Sequence, residues 1–210
     1  MKKFIITVIY FALSNSAYSS PLNSKGWVSI PFGNIAPTKY QKMDNHWIIK
    51  VDRSASAQVL AFENIRSMTS IKFEWKSSGF PNIRDERHEQ SKEGDDGTLR
   101  VGLILSGPAP TIPFFASAWI KLLGDTLKHP SNELIYLTVA SKSPHTKPFQ
   151  SPYSKSIKTI PLPTLSGNQG WNIANYKLDK PTKVVGLWIM ADGDDTNSRF
   201  TSEIRNLTLR

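Results

Sequence analysis

The densest group of side chains able to do chemistry is Asp192-Gly193-Asp194-Asp195-Thr196-Asn197, directly after the apolar run Val184 to Met190. Oxygen-bearing side chains gathered at a strand end can converge on a hard cation such as calcium, which takes carboxylate and carbonyl ligands. The hexapeptide departs from the helix–loop–helix calcium loop, which requires a glycine and a glutamate at fixed positions. A tight turn whose Asp and Asn side chains bond their own backbone is the plainer reading, and both stay open. A second acidic pair, Asp95-Asp96, precedes a strand that carries Arg100. An arginine beside paired carboxylates can orient them through fork-like hydrogen bonds, leaving one free for a sugar hydroxyl or a cation. The alternative is a surface ion pair, which contributes at most about 1 kcal/mol and selects no function.

Paired carboxylates also raise glycoside hydrolysis, with Asp96 and Asp194 or Asp195 as acid and base, although no spacing in the chain fixes that geometry. Other chemistries lack their residues. There is no cysteine, which removes disulfides, thiolate nucleophiles and cysteine-ligated metals together. His46, His88, His129 and His145 are scattered without metal-pair spacing, and no Gly-x-Ser-x-Gly elbow or phosphate-binding Gly-Lys-Ser/Thr occurs. Among the aromatic residues, Trp75, Trp119 and Trp188 lie in apolar runs and are expected in the core. Trp171, after the polar glycine-rich stretch Ser166 to Gly170, is the best candidate for an exposed ligand-stacking ring.

These residues must be positioned by short strands. From Trp27 onward, apolar runs alternate with turn-forming residues, and the chain as a whole holds 14 prolines and 12 glycines. Strands are expected at Trp47 to Val51, Gln58 to Phe62, Ser70 to Trp75, Leu99 to Leu105, Leu134 to Ala140, Val184 to Met190 and Phe200 to Leu209. Ile71, Phe73 and Trp75 alternate with Lys72, Glu74 and Lys76, the mark of a strand with one face on a core. Val101 to Leu105 and Val184 to Met190 are nearly continuous in apolar character, as central strands covered on both faces are. Phe115 to Leu123 is read as a strand followed by a loop, although Phe115, Trp119, Leu122 and Leu123 would also share one side of a helix. The expected architecture is all-β, an antiparallel two-sheet β-sandwich of the jelly-roll kind in a single domain, residues 20–210.

The chain of 210 residues is 39% hydrophobic, enough for a core, and its 26 Lys and Arg against 17 Asp and Glu give a formal charge of +9. Met1-Lys2-Lys3, the apolar Phe4 to Leu13 and the small polar residues up to Ser19 have the order of a secretory signal peptide, cut after Ala17 or Ser19. Removal of Lys2 and Lys3 leaves +7, a surplus favouring anionic surroundings. The expectation is a periplasmic or secreted protein with no transmembrane segment in its mature chain. Basic residues are dispersed rather than grouped in an aromatic-interleaved stripe, which speaks against nucleic acid.

Taken in order, several segments resemble a bacterial family of exported proteins known only as domain of unknown function family 3047. They are Asp52 to Ala57, Ile71 to Lys76, Asp95-Asp96 with Arg100, Ile189 to Thr196 and Ser202-Glu203-Ile204. The resemblance spans residues 46 to 209, with two departures: Asp195 stands where the family has Asn, and Glu203 where it has Asp. It implies a jelly-roll sandwich similar to galactose-binding and carbohydrate-binding modules, and no activity. It also draws Glu203 into the acidic group. The ligand-binding residues then expected are Asp95, Asp96, Arg100, Asp192, Asp194, Asp195 and Trp171, with Asp192, Asp194, Asp195 and Glu203 as ligands of a calcium-like cation. The expected function is non-catalytic binding of a glycan or cell-envelope polymer by a monomer. The alternatives are a polysaccharide hydrolase or lyase and a structural envelope subunit.

Overall fold

In the computed structural model, residues 20–44, 46–109, 117–139, 147–163, 165–167 and 170–210 are described. The expected leader, residues 1–19, lies outside them, as do Phe115, Ala116, Ala140 and His145. Strand formation dominates, as the alternation of apolar and polar residues requires. The strands are β1 (Trp27–Pro31), β2 (Lys39–Lys42), β3 (His46–Asp52), β4 (Ser56–Ser78), β5 (Gly97–Ser106), β6 (Ser131–Val139), β7 (Phe149–Ser151), β8 (Ser154–Leu162), β9 (Leu165–Ser166), β10 (Asn172–Asp192) and β11 (Arg199–Leu209).

All eleven belong to one hydrogen-bonded sheet, ordered β2-β3-β11-β4-β10-β5-β6-β8-β7, with β1 on β4 and β9 on β10. This corrects the expectation of two separate sheets. The reason is the length of β4 and β10, which pair with each other on both sides of the register shifts between Lys177 and Thr182 and between Val184 and Gly186. The pairing is not antiparallel throughout either: β6 and β8 run parallel, Leu134 opposite Ile157 through Val139 opposite Leu162.

The sheet folds over on itself. Ser202 on β11 donates its hydroxyl to the Thr98 carbonyl on β5 at 2.5 Å, although β4 and β10 stand between those strands in the sheet order. Tyr40 on β2 likewise donates to the Ser56 carbonyl on β4 at 2.6 Å. Inside the fold lies the main core, where Trp47 and Ile49 of β3 and Phe73 and Trp75 of β4 join Leu99, Val101 and Leu103 of β5. The opposite face of the β5 and β10 region carries a second cluster that includes Trp188, Met190, Ile104 and Tyr136. Both central runs are thus covered on two faces, which their continuous apolar character demands.

The second cluster is roofed by a helix where a strand was expected, α2 (Ala118–Thr126), which follows the short α1 (Glu86–Glu89). Trp119, Leu123 and Leu127 pack on the cluster. Their spacing of four residues forms one stripe in a helix, and in a strand it would leave them without the intervening contacts of an alternating face. Trp119 is therefore a half-buried cover residue rather than a strand core residue. No helix among the described residues is long and apolar enough to cross a membrane.

Candidate functional site

The two acidic segments meet. Asp95 and Asp96 close the connection from β4 to β5, and the Asp192 to Asn197 stretch forms the turn from β10 to β11. The turn is held by a hydrogen bond from Ser198 N to the Gly193 carbonyl at 2.7 Å, with Asn197 in the left-handed region at φ 53°. Asn tolerates that conformation better than most side chains. Asp96, 1% exposed, accepts from Thr196 N at 2.7 Å, from Thr196 Oγ1 at 2.5 Å and from Asp195 N at 3.3 Å. Its carboxylate thus ties one acidic segment to the backbone of the other.

Arg100 organises the rest. On β5 it pairs in register with Met190 of β10; its Nη1 donates to Asp192 Oδ2 at 2.9 Å and its Nη2 to Asp95 Oδ1 at 2.7 Å. The remaining oxygens are also bonded, Asp192 Oδ1 by Gly97 N at 2.8 Å and Asp95 Oδ2 by Ser151 Oγ at 2.9 Å. A side chain at Gly97 would force Arg100 to shift, because its Cβ would lie 2.7 Å from Arg100 Nε. Burial raises the Asp192 carboxyl well above its ordinary range and raises Asp95 as well, with the Arg100 charge opposing both. This is a buried, hydrogen-bonded ionic group, not the exposed ion pair that was the bland alternative.

A cavity of about 400 Å³ opens beside it. Its floor is one face of the sheet, with Trp188, Met190 and Asp192 of β10, Arg100 of β5, Tyr136 of β6 and Ile157 of β8. Phe32, just after β1, and Trp119 of α2 supply an aromatic wall, the ring of Phe32 lying edge-on to Trp119 at 5.7 Å and stacked on Trp188 at 6.1 Å. Asp194 and Asp195 of the β10–β11 turn add an acidic part to the lining. Tyr153, in the turn between β7 and β8, donates its hydroxyl to both Asp195 oxygens at 2.9 Å. Partial burial, with the Asp194 charge adding to it and the Tyr153 hydrogen bond opposing it, pushes the Asp195 carboxyl up to about 7. Burial and the neighbouring Asp96 raise Asp194 too.

Of the expected site residues, Asp95, Asp96, Arg100, Asp192, Asp194 and Asp195 are brought together. Trp171 is not with them. It is 7% exposed and covered by Arg205, with the guanidinium 4.1 Å from the ring centre, and by Lys76 at 4.7 Å. The expected exposed ring is an interior one because two cations of the neighbouring strands lie on its indole. Glu203 is a second correction: on β11 it lies 3.1 Å from Lys76 and 3.6 Å from the His46 ring, so its carboxylate is matched to the Lys76 ammonium beside Trp171. The carboxylates that could share a cation are Asp96, Asp192 and Asp194, with one oxygen of each within 4.8 Å of the others. Oxygens on one calcium, each about 2.3–2.6 Å from it, stand at most about 5 Å apart, and this spread is within that limit. Asp195, named as a ligand from the sequence, is outside this set. Sequence reasoning missed Ser151, Tyr153, Tyr136 and Phe32; they come from segments with no motif, and only the parallel β6–β8 pairing and the roof over the second cluster bring them near.

The model of the family described as Protein of unknown function (DUF3047) matches residues 25–208, and the chain belongs to that family. No curated protein matches it.

Proposed function

We propose that this member of the family is an exported, non-catalytic protein that binds a glycan or another cell-envelope polymer by taking one of its sugar units into the cavity. The observation that carries this reading is that a single cavity is lined both by the rings of Trp119 and Phe32 and by the carboxyl groups of Asp194 and Asp195. Sugar rings present an apolar face suited to stacking and a rim of hydroxyls that donate to carboxylates. The cavity volume falls within the usual range of ligand pockets, about 300–1,000 Å³. The reading takes the folded-over sheet as a sandwich-like, jelly-roll relative of galactose-binding and carbohydrate-binding modules. A calcium-like cation on Asp96, Asp192 and Asp194 is part of the proposal, as a structural or ligand-bridging ion.

Binding is favoured over hydrolysis by the state of the carboxylates. Asp96 is engaged by the Asp195 and Thr196 donors, and Asp95 and Asp192 by Arg100. The remaining two, Asp194 and Asp195, are neighbours on one turn, whereas glycoside hydrolysis needs its carboxyl groups on opposite sides of the bond. The test is a glycan array probed with the wild type and Asp194→Ala, together with thermal unfolding across millimolar calcium. Loss of one specific signal in a folded variant supports the reading. A blank array for both proteins removes it, and an unchanged unfolding temperature removes the cation.

A further inference from the structure

We infer that the unit bound in this cavity is an amino sugar with a free, protonated amine, its ammonium seated between Asp194 and Asp195. The inference rests on the carbohydrate reading above, narrows its substrate class, and puts the ammonium in place of the metal ion which that reading set at Asp194.

The reason is a charge left over after the internal pairing. Four carboxyl groups line the cavity, Asp95, Asp192, Asp194 and Asp195, against the single guanidinium of Arg100. Both terminal nitrogens of Arg100 are committed to Asp95 and Asp192. Asp194 and Asp195 have no cationic partner among the described residues; Asp195 receives only the Tyr153 hydroxyl. Half-buried carboxylates without a counter-ion are costly, and an incoming ammonium supplies both the charge and the N–H donors they lack.

A second observation points the same way from the floor of the cavity. Tyr136 is 5% exposed and lines the space, yet its hydroxyl has no hydrogen-bond partner among the described residues. That hydroxyl borders the cavity and is free to accept an N–H or O–H from a ligand there. The indoles of Trp119 and Trp188 complete the site, since an aromatic face attracts both the apolar side of a sugar and a nearby cation. The positive charge of the whole chain does not prevent this, because exposed charges farther than about 8 Å are screened at physiological salt.

The test is a titration of intrinsic tryptophan fluorescence in buffer containing a calcium chelator. The probes are the trisaccharide of β-linked glucosamine, its fully N-acetylated counterpart and a glucose trisaccharide. The glucosamine trisaccharide is expected to bind about tenfold or more tightly than the other two. The double variant Asp194→Asn with Asp195→Asn, checked for folding by circular dichroism, is expected to erase that preference. Equal binding of the three probes, or binding of any of them only when calcium is restored, overturns the amine while leaving the carbohydrate reading in place. No binding of any probe with or without calcium overturns both.

Discussion

The Asp96 carboxylate accepts both the backbone N–H of Thr196 at 2.7 Å and its hydroxyl at 2.5 Å, across a separation of one hundred residues. Truncation to Asp96→Ala removes an acceptor that serves three donors. A buried donor left unpaired costs about 1–3 kcal/mol, and Thr196 Oγ1 retains Ser198 Oγ at 2.6 Å as a partner. The expected loss is about 2–4 kcal/mol, read from the urea midpoint at unchanged slope.

Arg100→Met should be more damaging. It leaves Asp95 and Asp192 as buried carboxylates without their counter-ion, and breaking such a pair costs about 3–5 kcal/mol. The deficit should shrink as pH is lowered, because in the variant both acids can fold in the protonated form, which needs no partner. Urea unfolding of variant and wild type at pH 7.5 and pH 5 measures this. A deficit that grows on acidification would remove the electrostatic explanation.

Asp195 makes folding depend on pH in a defined direction. Its carboxyl is raised in the folded chain from its ordinary 3.8 to about 7, so between those values the folded state holds the proton more tightly than the unfolded one. Stability therefore increases as pH falls from about 8 towards 5, where depressed carboxyls such as Asp52 and Glu74 remain ionised. Because Asp195 is partly exposed, solvent screening reduces the effect, and a rise of a few degrees in Tm is expected at about 2–4 °C per kcal/mol. Asp195→Asn should flatten this dependence and raise Tm at pH 8.

Gly97→Ala tests how closely Arg100 folds against its own strand. The added Cβ would stand 2.7 Å from Nε and 3.0 Å from Cγ of Arg100. Overpacking of this kind costs about 1–3 kcal/mol. The guanidinium should be displaced from Asp192, with ligand binding reduced along with stability.

The sequence makes some of this legible and hides the rest for physical reasons. The alternation of Ile71, Phe73 and Trp75 with Lys72, Glu74 and Lys76 is the burial pattern observed on β4. The continuous runs Val101 to Leu105 and Val184 to Met190 are the central strands. Periodicity instead breaks β4 into two pieces, because Glu63 to Ser67 is an exposed stretch with no face on a core, and pattern reading detects faces rather than hydrogen bonding. The same holds for Asp179 to Pro181 in β10, which are exposed. In the site, the acidic residues and Arg100 are visible as sequence clusters. Tyr153 and Ser151 are not, since a hydroxyl in a turn has no signature until topology gives it a neighbour. Trp171 and Glu203 mislead because residue type indicates what a side chain can bind, while the partners it finds on adjacent strands decide what it does bind.

The continuity of β4 and β10 leaves this molecule without a seam. In proteins made of two independent layers, one can peel from the other at the loops between them, whereas here the same two backbones are threaded through both halves. Opening either half disturbs the pairing in the other, so the amides of β4 and β10 that pair outside the register shifts are expected to exchange with solvent only when the entire chain comes apart.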